Sequence, residues 1–315
     1  MTPRITFILG CTGCGKGAVG REVARRIGAE IISVDSMKVF RRMDIGTAKP
    51  GLAERAAIPH HLIDVVEPSE EFSVAQFVQQ AERAAQDIAE RGKPVLAVGG
   101  TALYIKSLSE GLFEGPGSDP DLRAELHTRA EQIGPAGLHR ELVQIDPVAA
   151  ERIHPNDLRR IVRALEVHRL TGTPISELQT QWDRERTQYD CTFIGLRRDK
   201  EDQSRRANRR VGKMVEAGLV DEVRALWSET PPMGRTARQA LGYAEMIEHF
   251  EGEVSLEAAI ENIRINTRAF LKAQRTWFKR FHATRWIDLN EDSTVEQVAD
   301  TIESMEDAPW SRPPK

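Results

Sequence analysis

The chain has 315 residues, 40% hydrophobic and 29% charged, with 44 Lys and Arg against 48 Asp and Glu for a net charge of −4. That length suggests about two domains, and the composition excludes collagenous, low-complexity and disordered readings as well as a histone-like coat for nucleic acid. No apolar run approaches the ~18–20 residues of a membrane helix, the start carries too short an apolar stretch for a secretory signal, and three cysteines are too few for a disulfide framework. The expectation is a cytoplasmic protein with no membrane partner.

Residues 4–9, RITFIL, read as a short buried strand ending at Gly10, followed by a glycine-rich turn and a helix from about Lys16 to Ile27. EIISVD (30–35) is a second strand that stops at a carboxylate, and HLIDVV (61–66) is a candidate third. SVAQFVQQAERAAQDIAERG (73–92) has helical spacing, with Ser73 as N-cap and Gly92 as stop. PVLAVGG (94–100) is an apolar strand that runs into Thr101. Strands alternating with helices predict an α/β fold, a P-loop core with a parallel sheet flanked by helices.

The pattern changes at FEGPGSDPD (113–121), and helices broken at Gly134-Pro135, Asp146-Pro147, His154-Pro155 and Gly172-Thr173-Pro174 run to about Trp182. CTFIGL (191–196) is strand again. The expected division is a first core part at 1–112, an all-helical insertion domain at 113–185, a mostly helical second core part at 186–290, and a C-terminal helix and tail at 291–315. Within these, a strand is expected at 284–288, a last helix at 293–305 and disorder in the PWSRPPK tail.

Gly10-Cys11-Thr12-Gly13-Cys14-Gly15-Lys16 fits G-x-x-x-x-G-K between a strand and a helix, the nucleotide- and ATP-binding P-loop pattern. Glycines let successive backbone N–H groups turn inward around a phosphate, the helix N-terminus adds its positive end, and Lys16 adds a full charge. Position 17 breaks the pattern. Gly17 stands where a Ser or Thr hydroxyl would ligate Mg²⁺, so a metal site must be weaker, altered or built from other groups such as Thr12. Cys11-x-x-Cys14 reads either as a redox or metal pair or as two small side chains fitting a tight loop, and the lack of a second pair favours the latter.

Asp35 should lie at the C-terminal edge of the sheet, where a carboxylate can hold a metal or a hydroxyl, act as general base, or simply shape a turn. Thr101, at the same edge, can meet a phosphate oxygen or a substrate amine, or cap the next helix. Two basic stretches hide in the acidic total: 197–213 has eight Lys and Arg against three acids, and 264–285 has seven and no acid. Arg264, Arg268, Lys272, Arg275 and Lys279 form one helical stripe, fit to follow a phosphate backbone, to line a diphosphate entrance, or to be a solvated face. Trp277 and Phe278 can stack on bases, although core packing suits them better. His60 and His61 point opposite ways on an extended segment and read as hydrogen-bonding groups, while His154-Pro155-Asn156-Asp157 reads as a turn and helix cap.

The blocks GCTGCGKG, EIISVDSMKVFRRMDIGTAKP, PHHLIDVVEP with FSVAQF, PVLAVGGTALYIKSL, DPVAAERIHPNDLRRIVRALEV, QALGYAEM and TRAFLKAQRTWF, in order over roughly 4–286, resemble the tRNA dimethylallyltransferases, also called tRNA isopentenyltransferases. The resemblance implies transfer of a dimethylallyl group from dimethylallyl diphosphate to the exocyclic amine of the adenosine beside the anticodon. It makes Thr12, Gly13, Cys14, Gly15, Lys16 and Gly17 the diphosphate site, with Mg²⁺ as cofactor. Asp35 becomes the general base, and Thr12, Lys16 and Thr101 lie near the reacting centre. It further implies contacts with the tRNA anticodon stem-loop from Asp35, Ser36, Met37 and Lys38, from Thr101, Arg123, Arg159, Arg160 and Arg163, and from Gln239, Gly242 and Tyr243. The insertion would grip the anticodon stem, and the protein would be a monomer.

The chain departs from the family pattern at Gly17, at Lys38 where the family has Gln, at Phe40 for Tyr, at Ala244 for a basic residue and at Ala273 for the Arg of a K-R-Q run. A charged Lys38 donates hydrogen bonds but accepts none, so adenine readout there must differ. Two competing readings remain: a tRNA-binding paralogue that has lost turnover, and a P-loop small-molecule kinase, against which Gly17 argues.

Overall fold

The computed structural model describes residues 3–113, 115–179 and 189–305, so the PWSRPPK tail and Trp182 lie outside the described residues. The chain opens with β1 (Arg4–Gly10), α1 (Lys16–Ile27), β2 (Glu30–Val34), α2 (Leu52–Ala57), β3 (His60–His61), α3 (Val74–Glu90), β4 (Val95–Gly99) and α4 (Ala102–Glu110). Five helices follow: α5 (Pro120–Ile133), α6 (Pro135–Ile145), α7 (Pro147–Arg152), α8 (Leu158–Thr171) and α9 (Ile175–Leu178). The chain then forms β5 (Asp190–Arg198), α10 (Lys200–Glu216), α11 (Leu219–Trp227), α12 (Arg235–Arg238), α13 (Tyr243–Phe250), α14 (Leu256–Phe278), β6 (Arg285–Leu289) and α15 (Val295–Glu303).

The six strands make one sheet in the order β3-β2-β4-β1-β5-β6, every neighbouring pair parallel. β1, β2 and β4 are buried along nearly their whole length, as near-continuous apolar runs require in a sheet covered on both faces. Ile8 of β1 packs in one cluster with Val19 and Val23 of α1 and Val298 and Ile302 of α15. Phe7, one residue away and therefore on the opposite face, stacks on Phe193 of β5 at 4.9 Å between ring centroids.

The third strand is much shorter than HLIDVV suggests. Only His60 and His61 pair with β2, and Val66 makes an isolated bridge to Phe40. Leu62 and Asp64 take positive φ angles of 62° and 56°, which turn the backbone out of a strand. Asp64 gains its place from ion pairs with Lys49 and Arg55. His60 and His61 are hydrogen-bonding groups: Nδ1 of His60 meets Ile58 O, and Nε2 of His61 meets Glu30.

The described residues divide into two compact units, one holding the sheet and the other falling within 110–186. The second unit is helical, with an apolar core around Leu126, Leu138, Leu142, Ile161 and Leu165. Its helices begin where the Pro residues stand: Pro120, Pro135 and Pro147 each take the first turn, where a missing N–H costs nothing. Asp119, Asp146 and Asp157 cap α5, α7 and α8 with their carboxylates.

Candidate functional site

Because β4 lies between β1 and β2, the loops leaving the C-terminal ends of all three strands converge at one edge of the sheet. The loop after β1 turns through Gly13 and Gly15, with φ of 78° and 100°, a conformation that favours glycine. Among the described residues, no protein acceptor takes the N–H groups of Gly13, Gly15, Lys16 or Gly17, and α1 directs the positive end of its dipole into the same space. Lys16 Nζ stays close to the loop, donating to Cys11 O at 3.4 Å.

Three side chains from distant elements hold this loop in place. Gln274 of α14 is buried; its Oε1 accepts from Thr12 N–H at 2.9 Å and its Nε2 donates to Gly100 O at 2.9 Å. Gln203 of α10 donates to Thr12 O at 3.2 Å, and Arg198 of β5 donates to Cys14 O at 3.2 Å. The two cysteines fit the tight-loop reading. Cys14 is fully buried, and any side chain at Gly10 would collide with its Sγ. Burial, with Cys14 beside it, pushes the Cys11 thiol up to about 11, the opposite of a reactive thiolate.

Asp35 follows β2. Its Oδ1 accepts from the N–H groups of Met37 at 3.0 Å and Lys38 at 3.4 Å, an Asx turn that fixes the carboxylate. Oδ2 has no protein donor among the described residues. Thr101, at the end of β4, accepts from Ser36 N–H at 3.1 Å and so ties the two loops together. The hydroxyl hydrogen remains free to donate, with no acceptor for it among the described residues.

A cavity of about 260 Å³ opens between these loops and the helices beyond them. Thr12, Lys16, Asp35, Ser36, Met37, Gly100 and Thr101 form its polar end, and Val211, Met214, Leu219, Ile263 and Phe270 its apolar wall. Gln239 and Gly242 also line it. Two lining residues stood out too little in the sequence: Gln274, and Arg210, whose guanidinium has no ion-pair partner among the described residues. Arg210 lies within the basic stretch 197–213 and Gln274 within TRAFLKAQRTWF. Nothing local marks either, because their partners sit far away in the chain.

The protein offers a divalent metal few ligands of its own. Among the described residues no group of three His, Cys, Asp or Glu side chains could hold one. Asp35 is the lone carboxylate lining the cavity, Lys16 and Arg210 share that lining, and Gly17 offers no hydroxyl. Mg²⁺ is usually held by one or two carboxylates plus substrate phosphates, so Asp35 and the Thr12 hydroxyl, which line the same cavity, could hold one only together with a bound diphosphate.

A sequence model of the family described as IPP transferase matches residues 38–281. The chain belongs to the IPP transferase family. It is 46% identical over 285 residues, 90% of this chain and 92% of the other, to the tRNA dimethylallyltransferase of Geobacter metallireducens. It is 44% identical over 306 residues, 96% and 97% of the two chains, to that of Carboxydothermus hydrogenoformans. Among solved structures, the tRNA isopentenylpyrophosphate transferase of Bacillus halodurans superposes with a TM-score of 0.70 at 38% identity, covering 96% of each chain. A eukaryotic dimethylallyltransferase acting on tRNA gives 0.80 at 29% identity, covering 100% of this chain and 81% of that one.

Several family positions have other employment in this chain. Tyr243 is fully buried, and its hydroxyl donates to Glu222. Glu222 also accepts from the N–H groups of Asp44, Ile45 and Gly46, and a side chain at Gly46 would strike the Tyr243 ring at 2.4 Å. The MDIG segment is therefore a docking joint. Arg123 and Arg163 both bind the fully buried Glu166, and Arg163 also donates to Pro116 O and Gly117 O. Arg160 pairs with Asp157 at its helix start, whereas Arg159 is exposed and without an ion pair among the described residues.

The basic stretches are partly neutralised in the same way. Arg197 pairs with Asp288, Arg198 and Arg206 with Asp202, and Arg205 with Glu291. On α14, Arg264 and Arg268 share Glu261, and Phe278 is buried in the core. Trp277 lies beside Arg280, 4.9 Å from the guanidinium to the ring centroid.

Proposed function

We propose that the chain transfers a dimethylallyl group from dimethylallyl diphosphate to the exocyclic amine of the adenosine adjacent to the anticodon in tRNA. One observation carries this reading: the open Oδ2 of Asp35, the P-loop N–H groups and Lys16 meet at the polar end of a cavity whose far wall is apolar. The relatives named tRNA dimethylallyltransferase support the substrate class.

In this reading the loop N–H groups of Gly13, Gly15, Lys16 and Gly17 cradle the diphosphate, with Lys16 and Arg210 supplying positive charge. The apolar wall takes the prenyl chain and excludes water. The adenosine leaves its loop stack to enter the cavity, which costs less from a loop than from a duplex. The amine lone pair attacks the allylic carbon. The C–O bond breaks with its electron pair passing to the diphosphate oxygen, and the amine proton passes to Asp35 Oδ2. Thr101, placed by its bond to the Ser36 amide, can donate its remaining hydrogen to the leaving group or to the base.

The test is transfer of labelled dimethylallyl from its diphosphate to an anticodon stem-loop carrying the target adenosine. Incorporation is the expected result. tRNA bound without incorporation would mark a paralogue that has lost turnover, and ATP-dependent phosphorylation of a small molecule would mark a kinase.

A further inference from the structure

Arg275 differs from the rest of the α14 stripe in reaching a buried amide. Its Nη1 donates to Gln203 Oε1 at 3.2 Å, and Gln203, only 2% exposed, donates from Nε2 to Thr12 O at 3.2 Å. Neither side chain lines the cavity. The chemistry of the chain leaves one arrangement. A guanidinium only donates and a backbone carbonyl only accepts, so the amide between them must turn Oε1 to Arg275 and Nε2 to Thr12. Gln274 is fixed by the same logic on the other side of the same residue, accepting from Thr12 N–H and donating to Gly100 O. Thr12 is thus gripped at both its N–H and its C=O. The Thr12–Gly13 peptide is trans, so Gly13 N–H points opposite to Thr12 O. The pattern repeats one peptide further on. Arg198, itself held by Asp202 at 3.1 Å, donates to Cys14 O, and the next N–H, that of Gly15, has no protein acceptor among the described residues. Asp202 and Gln203 are neighbours on α10, which runs so close to the loop that a Cβ at Gly13 would lie 3.8 Å from Ala207 N.

We propose that Gln203 is a positioning residue that aims Gly13 N–H at the diphosphate by holding Thr12 O, and that Arg275 acts through Gln203 by fixing its amide rather than by contacting RNA. The inference rests on the proposed function for the identity of the phosphate ligand. Neither residue touches that ligand, so neither is catalytic. Their contribution is preorganisation: an N–H already turned toward the phosphate binds it without first reorienting the loop. Removing Gln203 releases the Thr12 carbonyl, and the peptide can then rotate and carry Gly13 N–H out of line. Removing Arg275 leaves the buried Oε1 without its donor, and the amide is free to turn away from Thr12.

The full-length chain is titrated with inorganic diphosphate in Mg²⁺ buffer, as wild type, Gln203→Met, Arg275→Leu, Arg275→Lys and the first two combined, and binding of the anticodon stem-loop is measured over a range of salt. Gln203→Met and Arg275→Leu should each weaken diphosphate binding about tenfold, the scale of one orphaned buried polar group. Arg275→Lys keeps a donor and should retain binding. The combined variant should lose no more than Gln203→Met alone, because one residue acts through the other. Stem-loop affinity and its salt dependence should stay as in wild type. If Arg275→Leu instead weakened stem-loop binding, made its salt dependence shallower and spared diphosphate, Arg275 would be an RNA contact and the inference overturned. Losses that multiply in the combined variant would overturn it too. In wild type, the Gly13 amide proton resonance should move downfield when diphosphate is added, and no movement would overturn the inference even if no variant folds. Wild type that binds diphosphate but transfers no labelled dimethylallyl would overturn the proposed function and leave the positioning assignment decided by binding alone.

Discussion

Replacing Asp35 by Asn separates the carboxylate's chemistry from its structural role. An Asn Oδ1 can still accept from the N–H groups of Met37 and Lys38, bonds that measure 3.0 and 3.4 Å in the native turn. The loop should therefore stay in place. What is lost is a basic oxygen at the position of Oδ2, and with it the proposed proton acceptor for the attacking amine. General base catalysis is worth roughly 10²- to 10⁴-fold, so the transfer step should slow by that factor, ~2.7–5.4 kcal/mol of barrier. The substitution also removes the negative charge that faces Lys38 and Arg210. At a pH low enough to keep Lys38 protonated without Asp35, binding of inorganic diphosphate should consequently hold or tighten. Single-turnover transfer of labelled dimethylallyl, paired with calorimetric diphosphate binding, measures both. A rate within about threefold of wild type would refute Asp35 as base, because no positioned proton acceptor contributes so little. A parallel loss of diphosphate affinity would show instead that the loop had moved.

Gln274→Leu should orphan Thr12 N–H and Gly100 O, costing about 2–6 kcal/mol in denaturant unfolding and slowing transfer through a displaced P-loop, because each buried unsatisfied group costs ~1–3 kcal/mol. Tyr243→Phe removes a hydrogen bond to a carboxylate, so stability should fall by about 1.5–3 kcal/mol while the folded fraction binds tRNA as wild type does; loss of tRNA affinity without loss of stability would make Tyr243 an RNA contact. Burial would raise the pKa of Glu30, but hydrogen bonds from Arg91, His61 and Lys93 outweigh it and bring it down to about 2 from an ordinary 4.5. The stabilisation from Glu30 is thus complete above pH 4.5 and is lost as pH falls toward 2, and Glu30→Gln should flatten that part of an acid-unfolding curve.

The local chemistry of the sheet and of the P-loop was legible in the sequence. Short apolar runs at RITFIL, EIISV and VLAVG, bounded by glycine or a carboxylate, read as strands buried on both faces, and Gly13 and Gly15 stand where the backbone turns left-handed. The breaks at Gly134-Pro135 and Asp146-Pro147 were equally plain, and α6 and α7 start at those prolines, since capping and proline geometry act within a few residues. HLIDVV misled because its apolar residues say nothing about the positive φ at Leu62 and Asp64 or about the ion pairs that Asp64 makes with Lys49 and Arg55.

By itself, then, the sequence determined most of the strands and helices, the glycine-rich loop between the first strand and helix, and which carboxylate ends a strand beside it. The tertiary structure alone decided how charged and polar side chains are spent. It commits Arg123 and Arg163 to Glu166 and buries Tyr243 against Glu222. It sends Gln274 to hold Thr12 from 262 residues away, and it leaves Lys16, Lys38 and Arg210 around Asp35 without ion pairs. Strand and turn preferences are local, whereas hydrogen bonds and charge pairs depend on distances that exist only once the chain has packed.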